Sequence, residues 1–200
     1  MKFFHNSIIL DVPDSVYYPE EDSLLLTESV KNMATQGVAC LDVGCGSGLI
    51  AVTMAKKGAT VTASDISKEA VNATRKNAKA NAVSLTATES DLFSKISDKY
   101  DLITFNPPYL PEGEGDEYLG EIKRHLVGGK TGREVIGRFL KEAKAHLATH
   151  GRILLMISSL TGENETIALC RKYDYTATIA ARKKIEWEEL VVLEILQDNK

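Results

Sequence analysis

Short apolar segments alternate with helical segments from Val38 onward, and this alternation limits the possible fold more than any other feature of the chain. Helical spacing predicts helices over residues 24–33, 49–57, 67–81, 134–147 and 164–173, with Ser67 as an N-cap. The apolar segments, each short enough for a buried strand, are residues 38–43, 61–65, 83–88, 100–105 and 153–158. Strands that alternate with helices form a parallel, doubly wound sheet with helices on both faces.

The two ends of the chain depart from this alternation. Residues 175–183 and 187–196 read as consecutive strands joined by a turn, which predicts an antiparallel hairpin at one edge of the sheet. The sequence therefore predicts an α/β fold with a mostly parallel, seven-stranded sheet. Residues 1–15 form either a short hairpin or an irregular segment, and residues 83–88 are expected at the opposite edge of the sheet.

The size and charge of the chain indicate a single soluble domain over residues 1–200, with residues 1–23 as an N-terminal arm. The net charge of -4 does not favour sequence-independent binding to nucleic acid, which depends on many basic contacts with phosphates. No apolar run approaches the length of a membrane span, and the three cysteines have no metal-ligand spacing. We expect a cytoplasmic protein without a metal site.

Polar and glycine residues follow the carboxyl ends of the first four strands, where ligands bind in open α/β sheets. Gly44, Gly46 and Gly48 follow the first strand, Asp65 ends the second, Asp91 follows the third and Asn106 the fourth. Each acid could instead simply cap the helix that follows it. Their common position at one edge of the sheet favours a binding site.

The glycine loop differs from both common phosphate-binding loops. Its spacing is G-x-G-x-G, with Leu49 where the dinucleotide fingerprint has glycine, and no Lys-Ser/Thr pair follows. Asp42, just ahead of the loop, would repel a phosphate and attract an ammonium group. S-adenosylmethionine fits these features, with its α-amino group near Asp42, its ribose diol on Asp65, and its adenine beside Asp91 and Leu92.

The stretch Phe105-Asn106-Pro107-Pro108-Tyr109 forms a stiff turn at the end of the fourth strand. Two prolines remove two backbone donors and fix two φ angles, and the first of them holds Asn106 extended. An amide and an exposed aromatic ring on such a turn are suited to hold a flat, polar group.

The Asp42-x-Gly44-x-Gly46-x-Gly48 loop followed by Asn106-Pro107-Pro108-Tyr109 resembles the Rossmann-like class I methyltransferases that modify planar amino nitrogens. Within them the chain resembles the HemK family of protein-(glutamine-N5) methyltransferases, in its short eukaryotic and archaeal branch, which acts on class 1 release factors. Two further stretches carry this resemblance, namely Tyr17-x-Pro19-x-Glu21-Asp22-Ser23 and Gly128-Gly129-Lys130-Thr131-Gly132-Arg133-Glu134.

The resemblance implies methyl transfer to the glutamine side-chain amide in the GGQ loop of a peptide chain release factor. It also places Ser23 and Asn106 among the cofactor-binding residues. Bacterial members carry a helical N-terminal domain, for which the residues before Tyr17 leave no room. In the short branch a small zinc-binding activator subunit commonly accompanies the catalytic chain, and we expect it to pair with the bare edge of residues 83–88.

The turn supplies a mechanism for such a reaction. We expect the Asn106 Oδ1 and the Pro107 carbonyl each to accept one N–H of the acceptor amide, while Pro108 and the ring of Tyr109 contact its plane. A loop over residues 111–132 begins acidic and ends basic, and it is either a solvated loop or a surface for a protein substrate, which Lys183 and Lys184 could extend.

Two other functions remain open at this point. An adenine-N6 or cytosine-N4 methyltransferase of DNA or RNA would use the same turn, because a flipped base also offers a planar NH2. A non-catalytic cofactor-binding module would have no need of the intact Asn106 to Tyr109 turn.

Overall fold

The computed structural model describes residues 1–113 and 123–198, and Glu114, Asp116 and Glu117 of the predicted acidic segment lie outside them. The helices and strands, in chain order, are β1 (Lys2–His5), β2 (Ile8–Asp11), α1 (Glu21–Val30), β3 (Ala39–Val43), α2 (Leu49–Lys56), β4 (Thr60–Asp65), α3 (Lys68–Ala80), β5 (Thr86–Glu89), β6 (Tyr100–Phe105), α4 (Lys123–Leu126), α5 (Glu134–Ala143), β7 (Leu147–Ser158), α6 (Glu163–Lys172), β8 (Tyr175–Lys184) and β9 (Glu189–Gln197).

The predicted sheet is confirmed. Seven strands lie in the order β5-β4-β3-β6-β7-β9-β8. The strands from β5 to β7 pair in parallel, whereas β9 pairs antiparallel with both β7 and β8. The C-terminal hairpin therefore forms one edge and β5 the other, as predicted. The central strands are buried along nearly their whole length, which explains their continuous apolar sequence.

Several predicted boundaries were wrong, among them those of α1 and of the start of β7, and two of the shifts have clear local reasons. The strand expected to start at Val83 starts at Thr86, because the Val83 N–H still donates to the Ala78 carbonyl at the end of α3. The helix expected to reach Leu147 ends at Ala143 and continues as a 3-10 turn, and Leu147 instead pairs with Tyr100 in the parallel ladder. The predicted N-cap is confirmed, since the Ser67 Oγ accepts the Ala70 N–H at 3.3 Å.

Residues 1–15 contain the hairpin, which was one of the two predicted forms. The hairpin packs on α3, where the Asn77 Oδ1 accepts the Asp11 N–H at 2.8 Å and the Asn81 Oδ1 accepts the Ile9 N–H at 3.1 Å. A separate apolar cluster that includes Phe3 and Leu10 lies beneath it. In the two described ranges, no helix is long and apolar enough to cross a bilayer.

The stretch from Gly128 to Glu134, whose role the sequence left unexplained, packs directly against the Asn106–Tyr109 turn. A Cβ atom on Gly128 would lie 2.2 Å from the Pro108 carbonyl oxygen, and one on Gly132 would lie 2.1 Å from the Tyr109 carbonyl oxygen. Glu134 closes this stretch by accepting the Thr131 N–H at 3.2 Å. Only glycine allows so close an approach, so this stretch packs tightly against the turn and stabilises it.

We predict that Gly132→Ala destabilises the protein by about 3–5 kcal/mol and lowers activity. The change combines the strain of a left-handed residue, at φ +74°, with a clash against the backbone. Gly37→Ala is the matched control, because Gly37 has φ +86° but no atom within 4 Å of its added Cβ. That variant should lose only about 1–2 kcal/mol. Urea unfolding of both variants measures the difference, and equal losses would contradict the role of close packing.

Candidate active site

The carboxyl ends of β3, β4, β5 and β6 open onto one cavity of about 680 Å³, a volume typical of cofactor sites. Ten of the predicted site residues line it, and Asp42 and Gly48 do not. The ten are Ser23, Gly44, Gly46, Asp65, Asp91, Leu92, Asn106, Pro107, Pro108 and Tyr109. The parallel strands thus bring together groups that are far apart in the sequence.

The glycine loop runs from the end of β3 to the start of α2. A Cβ atom on Gly48 would lie 3.0–3.1 Å from Thr74 of α3, so this glycine serves helix packing rather than the cavity. Gly46 has φ +51°, and a Cβ there would meet no atom within 4 Å. Its bare backbone therefore leaves room for a ligand to approach the loop closely.

Asp65, at the end of β4, organises this loop. Its Oδ2 accepts the Gly46 N–H at 2.9 Å, and its Oδ1 accepts the Ser67 N–H at 2.8 Å, just before α3. The side chain also lines the cavity. Its predicted contact with a ribose diol stays a prediction.

Asp42 lies behind the loop and is completely buried. Its Oδ1 accepts the Thr104 hydroxyl at 2.8 Å, while its Oδ2 has no hydrogen-bond partner within residues 1–113 and 123–198. Burial raises the pKa of this carboxyl to about 7, although the Thr104 hydrogen bond opposes the shift. The structure does not bring Asp42 to the cavity, so its predicted contact with an α-amino group is not supported by direct exposure.

Asp91 and Leu92 line the far end of the cavity. The Asp91 Oδ2 forms an ion pair of 2.7 Å with Arg138 of α5, a partner that the sequence pattern did not indicate. Ile66 lines the cavity beside Asp65 and is 70% exposed, which gives an apolar surface suited to a planar base. The sequence pattern missed Ile66 because an isolated apolar residue after a strand carries no functional pattern.

Asn106 is oriented by the start of α1. Its Nδ2 donates to the Asp22 Oδ2 at 2.9 Å and lies 3.5 Å from the Ser23 Oγ. Its Oδ1 is buried and has no hydrogen-bond partner in the described part of the chain. A buried amide oxygen of this kind is normally satisfied by a hydrogen bond, so the unpaired Oδ1 marks Asn106 as a candidate to accept an N–H of a bound group.

The predicted exposure of the Tyr109 ring was wrong, because only 9% of this residue is exposed. The ring lines the cavity from within, beside Tyr17 of the arm. The Tyr17 hydroxyl donates to Asp22 at 3.2 Å. Burial, followed by the charge of Asp22, raises the pKa of both tyrosines, so both stay neutral.

Asp22 is thus the shared partner of Tyr17 and Asn106, and its charge also acts on Tyr109, although the sequence assigned it no part in the site. The sequence did single out the Tyr17–Ser23 stretch, but as a basis for resemblance alone. Local spacing could not show the contact, because Asp22 and Asn106 are 84 residues apart.

The chemistry of the cavity fits S-adenosylmethionine. Gly46 offers an open backbone, Asp65 and Asp91 are placed for polar contacts with a nucleoside, and Ile66 provides an apolar wall. Next to them lies Asn106, whose buried Oδ1 has no hydrogen-bond partner in the described residues. The cavity therefore has two ends. The residues around the glycine loop and Asp65 suit the methyl donor, and Asn106 suits the methyl acceptor.

Comparison with known proteins supports this interpretation. Residues 20–123 match the family model described as the methyltransferase small domain. A putative protein N5-glutamine methyltransferase of Methanocaldococcus jannaschii is 40% identical over 187 residues, which cover 93% of this chain and 94% of that protein. Methyltransferase HEMK2 of Homo sapiens is 29% identical over 200 residues, covering 95% of this chain and 94% of its own length.

A bacterial relative, the release factor glutamine methyltransferase of Streptococcus pneumoniae, is 34% identical over 163 residues. The match covers 77% of this chain but only 58% of that protein. Matches of nearly full length therefore occur with relatives of the archaeal and eukaryotic type.

Solved structures show the same fold. Mtq2 in the E. cuniculi Mtq2–Trm112 complex superposes with a TM-score of 0.73 at 24% identity, covering 92% of this chain and 99% of that chain. A T. thermophilus 16S rRNA N2 G1207 methyltransferase, solved with AdoMet and guanosine, gives a TM-score of 0.72 at 22% identity, covering 96% and 47%.

The matched family, the full-length relatives and the class I methyltransferase fold lead to one conclusion. The chain belongs to the short branch of the HemK family and is an S-adenosylmethionine-dependent protein N5-glutamine methyltransferase.

Proposed function

We propose that the acceptor is the glutamine of the GGQ loop of a peptide chain release factor. The name of the Streptococcus pneumoniae relative supports this proposal, as does the Mtq2–Trm112 complex, which is responsible for methylation of the eRF1 translation termination factor. The structural observation that supports a planar amino group as the acceptor is the buried Asn106 Oδ1, which has no partner in the described part of the chain and belongs to a residue that lines the cavity.

The acceptor amide is a poor nucleophile, because its nitrogen lone pair is delocalised into the carbonyl group. S-adenosylmethionine supplies a methyl group on a positively charged sulfur. The Asn106 Oδ1 and the Pro107 carbonyl each accept one N–H of the amide, which turns its nitrogen towards the cavity and draws negative potential onto it. Alignment of this kind lowers barriers by several kcal/mol, and fixed dipoles contribute a few more.

The rest of the turn defines the plane of the acceptor. Pro107 and Pro108 prevent the backbone from relaxing when the acceptor binds, because their φ angles are fixed. The neutral ring of Tyr109 lies against the acceptor amide and faces the positive charge that develops as the methyl group transfers. No side-chain base is needed, since the proton can leave to water after transfer.

On the donor side, we assign direct cofactor contacts to the residues that line the cavity. Gly44 and Gly46 approach the amino-acid part, with Ser23 nearby, Asp65 binds the ribose, and Asp91 and Leu92 contact the base. Asp42 and Gly48 act indirectly, by holding the loop in place. Asp42 bonds to Thr104 of β6, and Gly48 allows the loop to pack closely against α3.

We further propose that a small activator subunit pairs with the outer side of β5, which adjoins no other strand in the described ranges. The strand lies at the edge of the sheet and bonds to β4 on its other side. The Mtq2–Trm112 complex supports the existence of such a partner, and edge strands are common sites for added strands. The chain itself would then act as one domain, with residues 1–23 as its arm.

The substrate surface belongs to the same proposal. Lys183 pairs with Glu21 at the start of α1, and Lys184 is exposed beside it. These residues lie at the end of the edge strand β8, and we assign them, with the loop of residues 111–132, to docking of the protein substrate. Residues 114–122 of that loop lie outside the described ranges.

We predict that Asn106→Ala lowers kcat by about 100-fold or more, because it removes the oxygen that aligns the acceptor amide. Cofactor affinity should remain close to that of the wild type. Assays with isotope-labelled S-adenosylmethionine, quenched at fixed times, measure the rate of methyl transfer. Isothermal calorimetry measures cofactor binding. Asn164→Ala, on the exposed surface of α6, is the control and should keep full activity. A near wild-type rate for Asn106→Ala would contradict the mechanism.

We predict methyl transfer to a purified release factor and none to its variant with Ala in place of the GGQ glutamine. DNA and RNA assayed in parallel test the nucleic-acid alternative, since the same turn could hold a flipped base. Mass spectrometry should locate a single methyl group on the glutamine side chain. Methylation of the Gln→Ala variant, or of nucleic acid alone, would overturn the proposed acceptor.

We predict that co-expression with a small zinc-binding subunit raises yield and activity. Hydrogen exchange should then slow at the amides of β5, because a strand added at this edge would bond to them. The amides of β8, at the opposite edge, serve as the internal control. A well-behaved and fully active lone chain would argue against an obligatory partner.

A further inference from the structure

The side chain of Asn106 has two possible orientations, and only one of them suits the reaction. Its oxygen and its nitrogen are similar in size, so a rotation by 180° exchanges an acceptor for a donor at the same place. With the oxygen towards the cavity, Asn106 can accept an N–H of the acceptor amide. With its NH2 group towards the cavity, Asn106 would instead place a second hydrogen-bond donor against the N–H of the acceptor amide.

The contacts of Asn106 select between these orientations. The Nδ2 lies 2.9 Å from the Asp22 Oδ2, whereas the Ser23 Oγ is a longer contact at 3.5 Å. An ionised carboxylate only accepts hydrogen bonds. An Asn106 rotated by 180° would place its oxygen against that carboxylate and lose the bond. Asp22 therefore holds the NH2 group and leaves the Oδ1, which has no partner in the described residues, for the acceptor.

Asp22 is itself fixed in place. It lies in the first turn of α1, where the helix dipole favours a negative charge, and it is only 5% exposed. Its Oδ1 accepts the backbone N–H of Ser23, and the Tyr17 hydroxyl donates to the carboxylate at 3.2 Å. The Asp22 Oδ1 thus accepts the Ser23 N–H and its Oδ2 accepts the Asn106 NH2 group, while the Tyr17 hydroxyl lies 3.2 Å from the first oxygen and 3.3 Å from the second.

We propose that Asp22 is a positioning residue that fixes the productive orientation of the Asn106 amide. This inference rests on the proposed function, because it concerns how the acceptor amide is held. It goes beyond that function in assigning a separate residue, on the N-terminal arm, to the alignment of the acceptor. Asp22 acts through Asn106 and is not itself required to touch the acceptor.

The Ser23 N–H bonds to one Asp22 oxygen and the Asn106 NH2 group to the other, which makes Asp22→Asn an unusual substitution. The Ser23 N–H needs an acceptor, so the new amide places its oxygen there and its NH2 group where the Asp22 Oδ2 stood. That NH2 group then faces Asn106, which satisfies it by turning its own oxygen away from the cavity. The isosteric substitution thus inverts Asn106, whereas Asp22→Ala merely leaves it free to rotate.

The test compares four variants by kcat on the release factor, with melting temperature and cofactor affinity as controls. Asp22→Asn should lower kcat by about 100-fold, and Asp22→Ala should lower it less. Asn106→Asp should be inactive, because it sets two carboxylates against each other. The exchange variant, Asp22→Asn with Asn106→Asp, should recover activity above both single variants, since the amide at 22 donates to the carboxylate at 106 and leaves an acceptor oxygen towards the cavity.

Tyr17→Phe is the matched control for the cluster. It removes a hydrogen bond to Asp22 but leaves the contact between Asp22 and Asn106, so its kcat should fall less than that of Asp22→Asn. A residue with a merely structural role would give the opposite order for the two substitutions at Asp22, with the isosteric Asn better tolerated than Ala. That order, or an exchange variant no better than its single parents, would overturn the inference.

A second measurement needs no acceptor, and it separates failure of this inference from failure of the proposed function. The side-chain NH2 signals of Asn106, assigned by their loss in Asn106→Asp, report its orientation in NMR spectra of the isotope-labelled protein. In the wild type one proton should be protected from exchange by Asp22, and in Asp22→Asn that protection should be lost. Unchanged protection would overturn the role of Asp22, whereas an inactive wild type with the expected protection would overturn only the release-factor acceptor.

Discussion

The parallel pairing of β3 with β6 is the constraint on which the rest of the site depends. Val43 pairs with Phe105 at the carboxyl ends of these two strands, and the glycine loop and the Asn106 turn leave the sheet immediately after them. Adjacent strands lie about 4.8 Å apart, so the donor and acceptor ends of the cavity begin as neighbours. The ring of Phe105 fixes this arrangement from below, by packing on Phe139 of α5 at a centroid distance of 4.6 Å.

The turn that follows β6 is supported from two directions by parts of the chain that are distant in sequence. Behind it, Gly128 and Gly132 approach its carbonyl oxygens so closely that a side chain would not fit. In front of it, Asp22 receives the Asn106 amide. The Tyr109 carbonyl also accepts the Thr161 hydroxyl at 2.9 Å, which ties the turn to the end of β7. The rigid pair of prolines is thus held by close contacts on several sides.

The sequence predicted the sheet and the position of the site because both depend on local patterns. Strand β6 was predicted to the residue, since an uninterrupted apolar run preceded a pair of prolines. Burial was harder to predict, and the sequence placed the Tyr109 ring in solvent and Asp42 against the ligand. The burial of these two side chains depends on packing between segments far apart in the chain, as does the contact between Asp22 and Asn106. No spacing rule reports such contacts, because they depend on how the elements pack rather than on how each one forms.

The origin of these groups has a consequence for how such an enzyme can diversify. The loop and the acids on the donor side all belong to the sheet and its first connections, whereas the group that orients Asn106 comes from the start of α1. Substitutions at Asp22 can therefore change how the acceptor is aligned without altering the glycine loop or Asp65, whereas Ser23 beside it also lines the cofactor cavity. A lineage could acquire a new acceptor through a few changes near the N-terminus, without passing through intermediates that no longer bind the methyl donor.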